Sequence, residues 1–232
     1  MKRVILIISL IVINQTSYCQ SQLGIKVGYN LLKILQSDND YHPSSFNYDH
    51  NSVPIAIYFC QRNHRINFCF EMEYLNRSYS AYEYWGGLGS GGHSQYKIYS
   101  YYLNAIIEPQ FVFGKAIKFI VFPGFYLGTP VYSKINGTLY EFSLEQYSRQ
   151  EALTGNAKGC IPNIDFGALA GIGIDIPASK NLIITVQDIF SISLIPFKSQ
   201  WGDETFRFMQ NKFEVGIAYE FSGSKKEKTK NK

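Results

Sequence analysis

Long apolar runs are scarce in this 232-residue chain. The clearest, Val4 to Ile13, spans ten residues, about half of what a helix needs to cross a bilayer, so no helical anchor is expected. Charged residues are few, 17% against 46% apolar, which excludes a disordered polyelectrolyte. Cysteine is sparse, four in all, with no CxxC pair and no Cys/His cluster, so a structural zinc site has no support. Tryptophan occurs twice, whereas Tyr and Phe number 18 and 17. Such aromatic richness is unusual for a cytosolic enzyme and suits strands or contact with lipid headgroups. The net charge of +4 resides at the chain ends. Without Lys2, Arg3 and the Lys-rich stretch 222–232, the body holds 15 basic and 17 acidic residues, which gives no reason to expect a nucleic-acid partner.

Met1-Lys2-Arg3, the apolar core Val4–Ile13 and the polar NQTSYCQ that follows have the layout of a secretory signal peptide over residues 1–19, with small Ser17 and Cys19 before the cleavage point. Tyr18 stands where a lipobox needs a Gly, Ala or Ser, so Cys19 is not expected to carry lipid. Residues 20–222 form the expected domain, and 223–232 a disordered Lys-rich tail. Three cysteines remain in the mature chain, an odd number that argues against a disulfide framework. Cys60 and Cys69 flank a turn and would face each other across a hairpin. The expectation favours two small side chains packed inside over a bond.

From Gln22 onward the dominant pattern has period two, the mark of strands with unlike faces. In Phe213–Phe221 every odd position is large and apolar and every even one small or acidic. Continued along the chain, the pattern predicts eight strands near 22–32, 52–61, 65–80, 95–113, 117–133, 161–176, 181–195 and 210–221, each long enough to cross hydrocarbon when tilted. Asp188 falls on the apolar parity of its strand, which predicts a bulge or a site near headgroups. Connections alternate long and short, as in outer-membrane barrels with tight periplasmic turns and longer external loops.

The polar parity is rich in Gly and in charges of both signs: Lys26, Glu71, Glu73, Arg77, Glu108, Lys118, Asp165, Asp175, Glu214 and Glu220. Seven acids against three bases suit a hydrogen-bonded plug in a narrow lumen, the alternative being a cation site or proton path. Gly167, Gly171 and Gly173 relieve crowding inside a small barrel. Aromatics on the apolar parity gather toward both strand ends, as two interfacial girdles would require. The reading is an all-β, eight-stranded antiparallel up-and-down transmembrane β-barrel, too narrow for an aqueous pore. It sits in the outer membrane with both termini in the periplasm.

Gly24-Ile25-Lys26-Val27-Gly28-Tyr29-Asn30, Phe70-Glu71-Met72-Glu73-Tyr74, Tyr102–Ile107 followed by Phe113-Gly114, Pro123–Gly128, and Asp165-Phe166-Gly167 with Gly171-Ile172-Gly173 resemble successive strands of the PorT-like family of small outer-membrane β-barrel proteins. Ala105 replaces that family's usual Pro. Phe221 is similar to the aromatic end read by the barrel-insertion machinery, here followed by the Lys-rich tail. The resemblance implies a fold and a location, and for some members an accessory part in a protein secretion system.

Chemical motifs are weak. Gly87-Leu88-Gly89-Ser90-Gly91-Gly92 spells a dinucleotide motif, but no helical period follows to receive phosphates, and it reads as a loop tip. His93 beside Ser94, or His42 near Ser44 and Ser45 with Asp40, supplies the residue types of a lipid A acyl hydrolase or acyltransferase. His50 and His64 complete the histidines. The expected role is non-enzymatic, with no catalytic, cofactor-binding or metal residues assigned: a structural or adhesion barrel, or an accessory component of a secretion complex. It would act through long external loops carrying Tyr82, Tyr84, Trp85, Tyr140, Phe142 and Tyr147. Outer-membrane lipid is the expected surrounding, and the oligomeric state is open. The alternatives are the lipid-modifying enzyme and a secreted soluble ligand-binding barrel, which would need Phe166, Ile172 and Ile217 inward and Asp165 and Glu214 outward.

Overall fold

Segments that alternate large apolar with small or charged residues extend as strands, because their two faces need different surroundings. The computed structural model of the chain describes residues 20–36, 45–47, 52–63, 66–87, 90–143, 149–157, 160–198 and 205–221. They form β1 Gln20–Gln36, β2 Ser45–Asn47, β3 Ile55–Asn63, β4 Ile66–Asn76, β5 Tyr79–Gly87, β6 Ser90–Phe113, β7 Lys118–Ser143, β8 Arg149–Gly155, β9 Asp165–Pro177, β10 Leu182–Ser193, β11 Phe197–Lys198 and β12 Thr205–Phe221. The expected leader 1–19 and tail lie outside the described residues.

Eight strands close a ring in the order β1, β3, β4, β6, β7, β9, β10, β12 and back to β1, every pair antiparallel. Gly114, with φ at +101°, turns the chain from β6 to β7, a left-handed conformation that side chains resist. Elsewhere glycine makes room. A Cβ at Gly167 would lie 2.2 Å from the Tyr126 ring, and one at Gly171 would lie 2.3 Å from the Phe122 ring. Large inward rings therefore seat on glycines of the neighbouring strand.

The apolar parity faces out. Ile25, Phe68, Phe119 and Ile172 are each 55–61% exposed, whereas Lys26, Glu71 and Asp165 are at most 2% exposed. Phe166, Ile172 and Ile217 point outward while Asp165 and Glu214 are buried, which contradicts the soluble barrel. On β1, β4 and β12 the outward apolar stretch runs nine residues, Leu23–Leu31, Ile66–Tyr74 and Phe213–Phe221. With a rise of ~3.3 Å and a tilt near 40°, that makes a band of roughly 25 Å, the height of a membrane's hydrocarbon. Asp188 is the one charge among the described outward residues of that band. It stands opposite Phe213 and Ile172 in unbroken register, so the bulge expected there is absent.

The bulge lies instead in β7. Tyr101 pairs with Tyr132 but Tyr102 with Pro130, leaving Val131 extra and both Val131 and Tyr132 exposed. Below it Val121, Phe125 and Leu127 face lipid; above it Ile135 and Leu139, on the same odd parity, are buried. The bulge turns one apolar stripe from the membrane to an interior.

That interior belongs to an extension the alternation did not reveal. Regions expected as long loops continue as strands: β5 and β6 pair up to Gly87 with Ser90, β6 and β7 up to Ser90 with Ser143, and β7 with β8. Arg77 and Ser78 separate β4 from β5 without changing register, Arg77 N donating to Ser100 O at 2.8 Å.

Cys60 and Cys69 face each other between β3 and β4 and are disulfide-bonded, with Cα atoms 4.1 Å apart. The expectation of two packed free thiols is therefore corrected. Direct opposition across the hairpin brings them within bonding reach.

Candidate functional site

Inward polar side chains stack in layers. Near the tight-turn end Arg62 pairs with Asp175 and lies 3.6 Å from Glu220, and Thr185 Oγ1 donates to Asp175 at 2.7 Å. In the middle Lys26 Nζ donates to Glu71 at 2.5 Å and Lys212 Nζ to Glu73 at 2.5 Å. Glu214 sits between the two ammoniums, 3.8 Å from Lys26 and 3.5 Å from Lys212. Asn104 Nδ2 donates to Glu73 at 2.7 Å and Gln110 Nε2 to Glu108 at 3.2 Å. Higher up, Arg77 pairs with Asp165, which also accepts from Ser193. The Arg77 guanidinium lies over the rings of Tyr102, Tyr126 and Phe208, 4.5–5.3 Å from their centroids.

Two of these bases were missed in the sequence. Lys212 shares the parity of Glu214 and was readable from it. Arg62 falls in an expected turn, but β3 runs on to Asn63 and aims it inward. Lys118 and Glu220, expected inside, are half-buried at the tight-turn mouth. Among the described residues, seven buried acids (Glu71, Glu73, Glu83, Glu108, Asp165, Asp175, Glu214) therefore face four buried bases (Lys26, Arg62, Arg77, Lys212); the expected seven against three is corrected, with Glu83 replacing Glu220 among the acids and Arg62 and Lys212 replacing Lys118 among the bases. Glu71, Glu73 and Glu214 each offer an oxygen within 4.8 Å of the others. Lys26 and Lys212 already stand among these oxygens, so a metal ion would meet two ammoniums, and the set reads as an ion-pair network.

Above the charged layers an apolar cap closes the lumen. Leu32, Tyr79, Ile98, Ile135, Phe197 and Phe208 belong to one buried cluster, in which Phe197 stacks on Phe208 with centroids 4.7 Å apart. Buried Ala157 and the turn around Cys160–Pro162 join it from the segment between β8 and β9. Tyr79 Oη donates to Cys160 O at 3.1 Å and Tyr102 Oη to Pro162 O at 3.3 Å. Burial raises the phenol of Tyr96 well above its ordinary range, and the hydroxyl bonds Glu83.

The candidate dyad separates. Strand alternation points Ser94 inward, fully buried, while His93 faces out and stacks on Tyr140 with centroids 4.6 Å apart. Asp40, His42, Ser44, His50, His64 and Tyr147 lie outside the described residues. Ser45 pairs with Tyr82 in the β2–β5 ladder. Within the glycine motif Gly87 pairs with Ser90, and Gly91 and Gly92 pair with Gly86 and Trp85 across β5 and β6, so its described residues are strand, and none of the described residues after them forms a helix to receive a phosphate. Tyr82 and Tyr140 occupy the outward face of the extension.

A closed antiparallel ring, a charge-poor outer band and a filled polar lumen define the class: a small outer-membrane β-barrel protein. No family model matches the chain, and no curated protein matches it. Among solved structures, the chain is similar to the attachment invasion locus protein Ail of Yersinia pestis (13% identity, 88% of this chain and 99% of that one, TM-score 0.42). It is also similar to the outer membrane protein OprG of Pseudomonas aeruginosa (10%, 89% and 98%, 0.46) and to the outer membrane protease OmpT of Escherichia coli (6%, 87% and 97%, 0.40). At such identities and TM-scores these likenesses carry no argument, and the class rests on the ring, the band and the lumen.

Proposed function

We propose that the protein is a non-enzymatic barrel that acts through its extended sheet, as an adhesion barrel or as an accessory component of a secretion complex. One observation carries this reading: the lumen is occupied by ion pairs and sealed by an apolar cap, while the sheet continues past the membrane band into β5–β8. Transport through the lumen has no room, and the surface that remains for a partner is the extension. Tight turns at the opposite end support an outward-facing extension. The PorT-like strand motifs support the secretion branch. The lipid-hydrolase alternative loses its His93–Ser94 pair to strand alternation.

The test is a null strain complemented with a trimmed chain in which Ser80 is joined to Lys97 through an Asn-Gly turn, residues that already pair in register. The wild-type chain is expected to restore surface attachment or secretion and the trimmed chain to restore neither, although both reach the membrane. A trimmed chain that restores the lost phenotype fully overturns the proposal.

A further inference from the structure

Asp188 faces outward within the apolar band, and among the described residues its side chain has no hydrogen-bond or ion-pair partner. On its own strand Leu182, Ile184 and Val186 lie outward below it, and Phe190, Ile192 and Leu194 above it. Along β12, which meets Asp188 at Phe213, the next outward charge above among the described residues is Arg207. That is about 15 Å up a tilted strand, and Phe221 is about 20 Å down. The carboxylate therefore lies within the hydrocarbon. An ionisable group there is unfavourable unless another group pairs with it.

A second polar group stands beside it. Asn211 pairs with Phe190 across β10 and β12, is exposed, and likewise has no side-chain partner among the described residues. The lean of the strands sets the two in a column. The row of paired residues Tyr29, Phe213, Asp188, Ile172, Val121 and Phe111 descends from the upper end of the band at Tyr29 to Phe111, beside the tight turn. Asn211 lies one strand back along that row and two residues up. With ~4.8 Å between strands, ~3.3 Å per residue and a tilt near 40°, it stands almost directly above Asp188, about 8 Å along the membrane normal. Phe190 and Phe213, 46% and 53% exposed, flank the column on opposite sides at nearly one height. Val186 and Ile172 flank it in the same way below Asp188.

This pattern is its own complement under a half-turn about the membrane normal. Two copies so related insert in the same orientation, as one bilayer demands, and each residue meets one at its own height. Phe190 meets Phe213 of the second copy, and Val186 meets Ile172. On the axis Asn211 meets Asn211, and each amide donates an N–H to the other's oxygen. Asp188 meets Asp188, and the two carboxyls hold one proton between them. One half-turn thus gives both unpartnered groups a partner and removes them from lipid. A basic residue on a different membrane protein would satisfy Asp188 alone.

We propose that the outward face of β9, β10 and β12 is a homodimer interface within the membrane, its two-fold axis running along the normal past Asp188 and Asn211. The inference needs the apolar band and no particular role for the extension.

The test purifies the protein from an outer-membrane fraction in mild detergent and measures its mass by sedimentation. The wild-type chain is expected to sediment as a dimer, and Asp188→Leu with Asn211→Leu as a monomer, the mass falling by half. Both changes set an apolar side chain against lipid, so the double variant keeps the gel shift of a folded barrel. Met72→Leu, outward on β4 across the ring, leaves the dimer unchanged. A residue on the axis faces its own copy, so Asn211→Cys should cross-link into a covalent dimer on mild oxidation in the membrane, and Met72→Cys should not. A monomeric wild-type chain overturns the proposal, as does a dimer kept by the double variant. Equal cross-linking of Asn211→Cys and Met72→Cys overturns it too. Should the double variant lose the gel shift, the cross-linking comparison carries the test.

Discussion

Arg77 shows how a charge is kept inside a barrel wall. Its guanidinium is fully enclosed, pairs with Asp165 and lies over three aromatic rings. Removing one partner of such a pair leaves a buried charge uncompensated, at a cost of about 3–5 kcal/mol. Arg77→Met is therefore expected to lower the urea midpoint of the lipid-reconstituted barrel substantially, and an unchanged midpoint would refute the role given to the pair. Cys160 makes a second prediction at this scale. Burial pushes its thiol up to about 11 from an ordinary 9.0, so folding holds its proton. The associated stability is present below pH 9 and is lost as pH rises toward 11. Iodoacetamide at pH 9.5 should modify Cys160 slowly in the folded chain and fast after denaturation. Equal rates would show an exposed thiolate.

At the level of elements, β7 carries the argument. Its aliphatic residues Val121, Leu127, Val131, Ile135 and Leu139 keep one parity, which is why the sequence shows no break, yet the bulge at Val131 sends the lower ones to lipid and the upper ones to the cap. Because the bulge aims both residues inward, Ile135→Lys with Leu139→Lys should open the cap while leaving the lipid-facing stripe unchanged. The expected outcome is proteolysis of the β6–β7 extension with the membrane ring intact, and continued resistance of the extension would contradict it. The same reasoning separates what was legible from what was not. Within the band, lipid outside and ion pairs inside impose opposite chemistries on the two faces, so the eight strands and most lumen charges could be read from alternation. Above the band the outward face meets polar surroundings, and Tyr and Gly occur on both parities of β5 and β6, so the strands left no contrast. The capping segment 156–160 has no period, and 161–164, expected as the start of a strand over 161–176, precede β9 and form part of the cap instead. The Cys60–Cys69 bond depended on their direct opposition in the ladder, which spacing around a turn left open.

For the whole molecule, a narrow ring with its lumen filled explains why structure and chemistry part company. Ion pairs at three heights and an apolar cap occupy the space where a channel would run, so the barrel serves as a mount for the sheet above it. Purified protein in a planar bilayer should accordingly show no stable single-channel conductance, and a steady open level would mean that the cap or the ion-pair layers leave the lumen. The central claim is that the apolar face meets lipid. It is tested most directly by comparing boiled and unboiled samples of an outer-membrane fraction on a detergent gel. The account predicts a band in that fraction that shifts on boiling, as a folded, detergent-resistant barrel unfolds. A protein recovered from the periplasm or medium, migrating identically before and after boiling, would contradict it and turn the faces inside out.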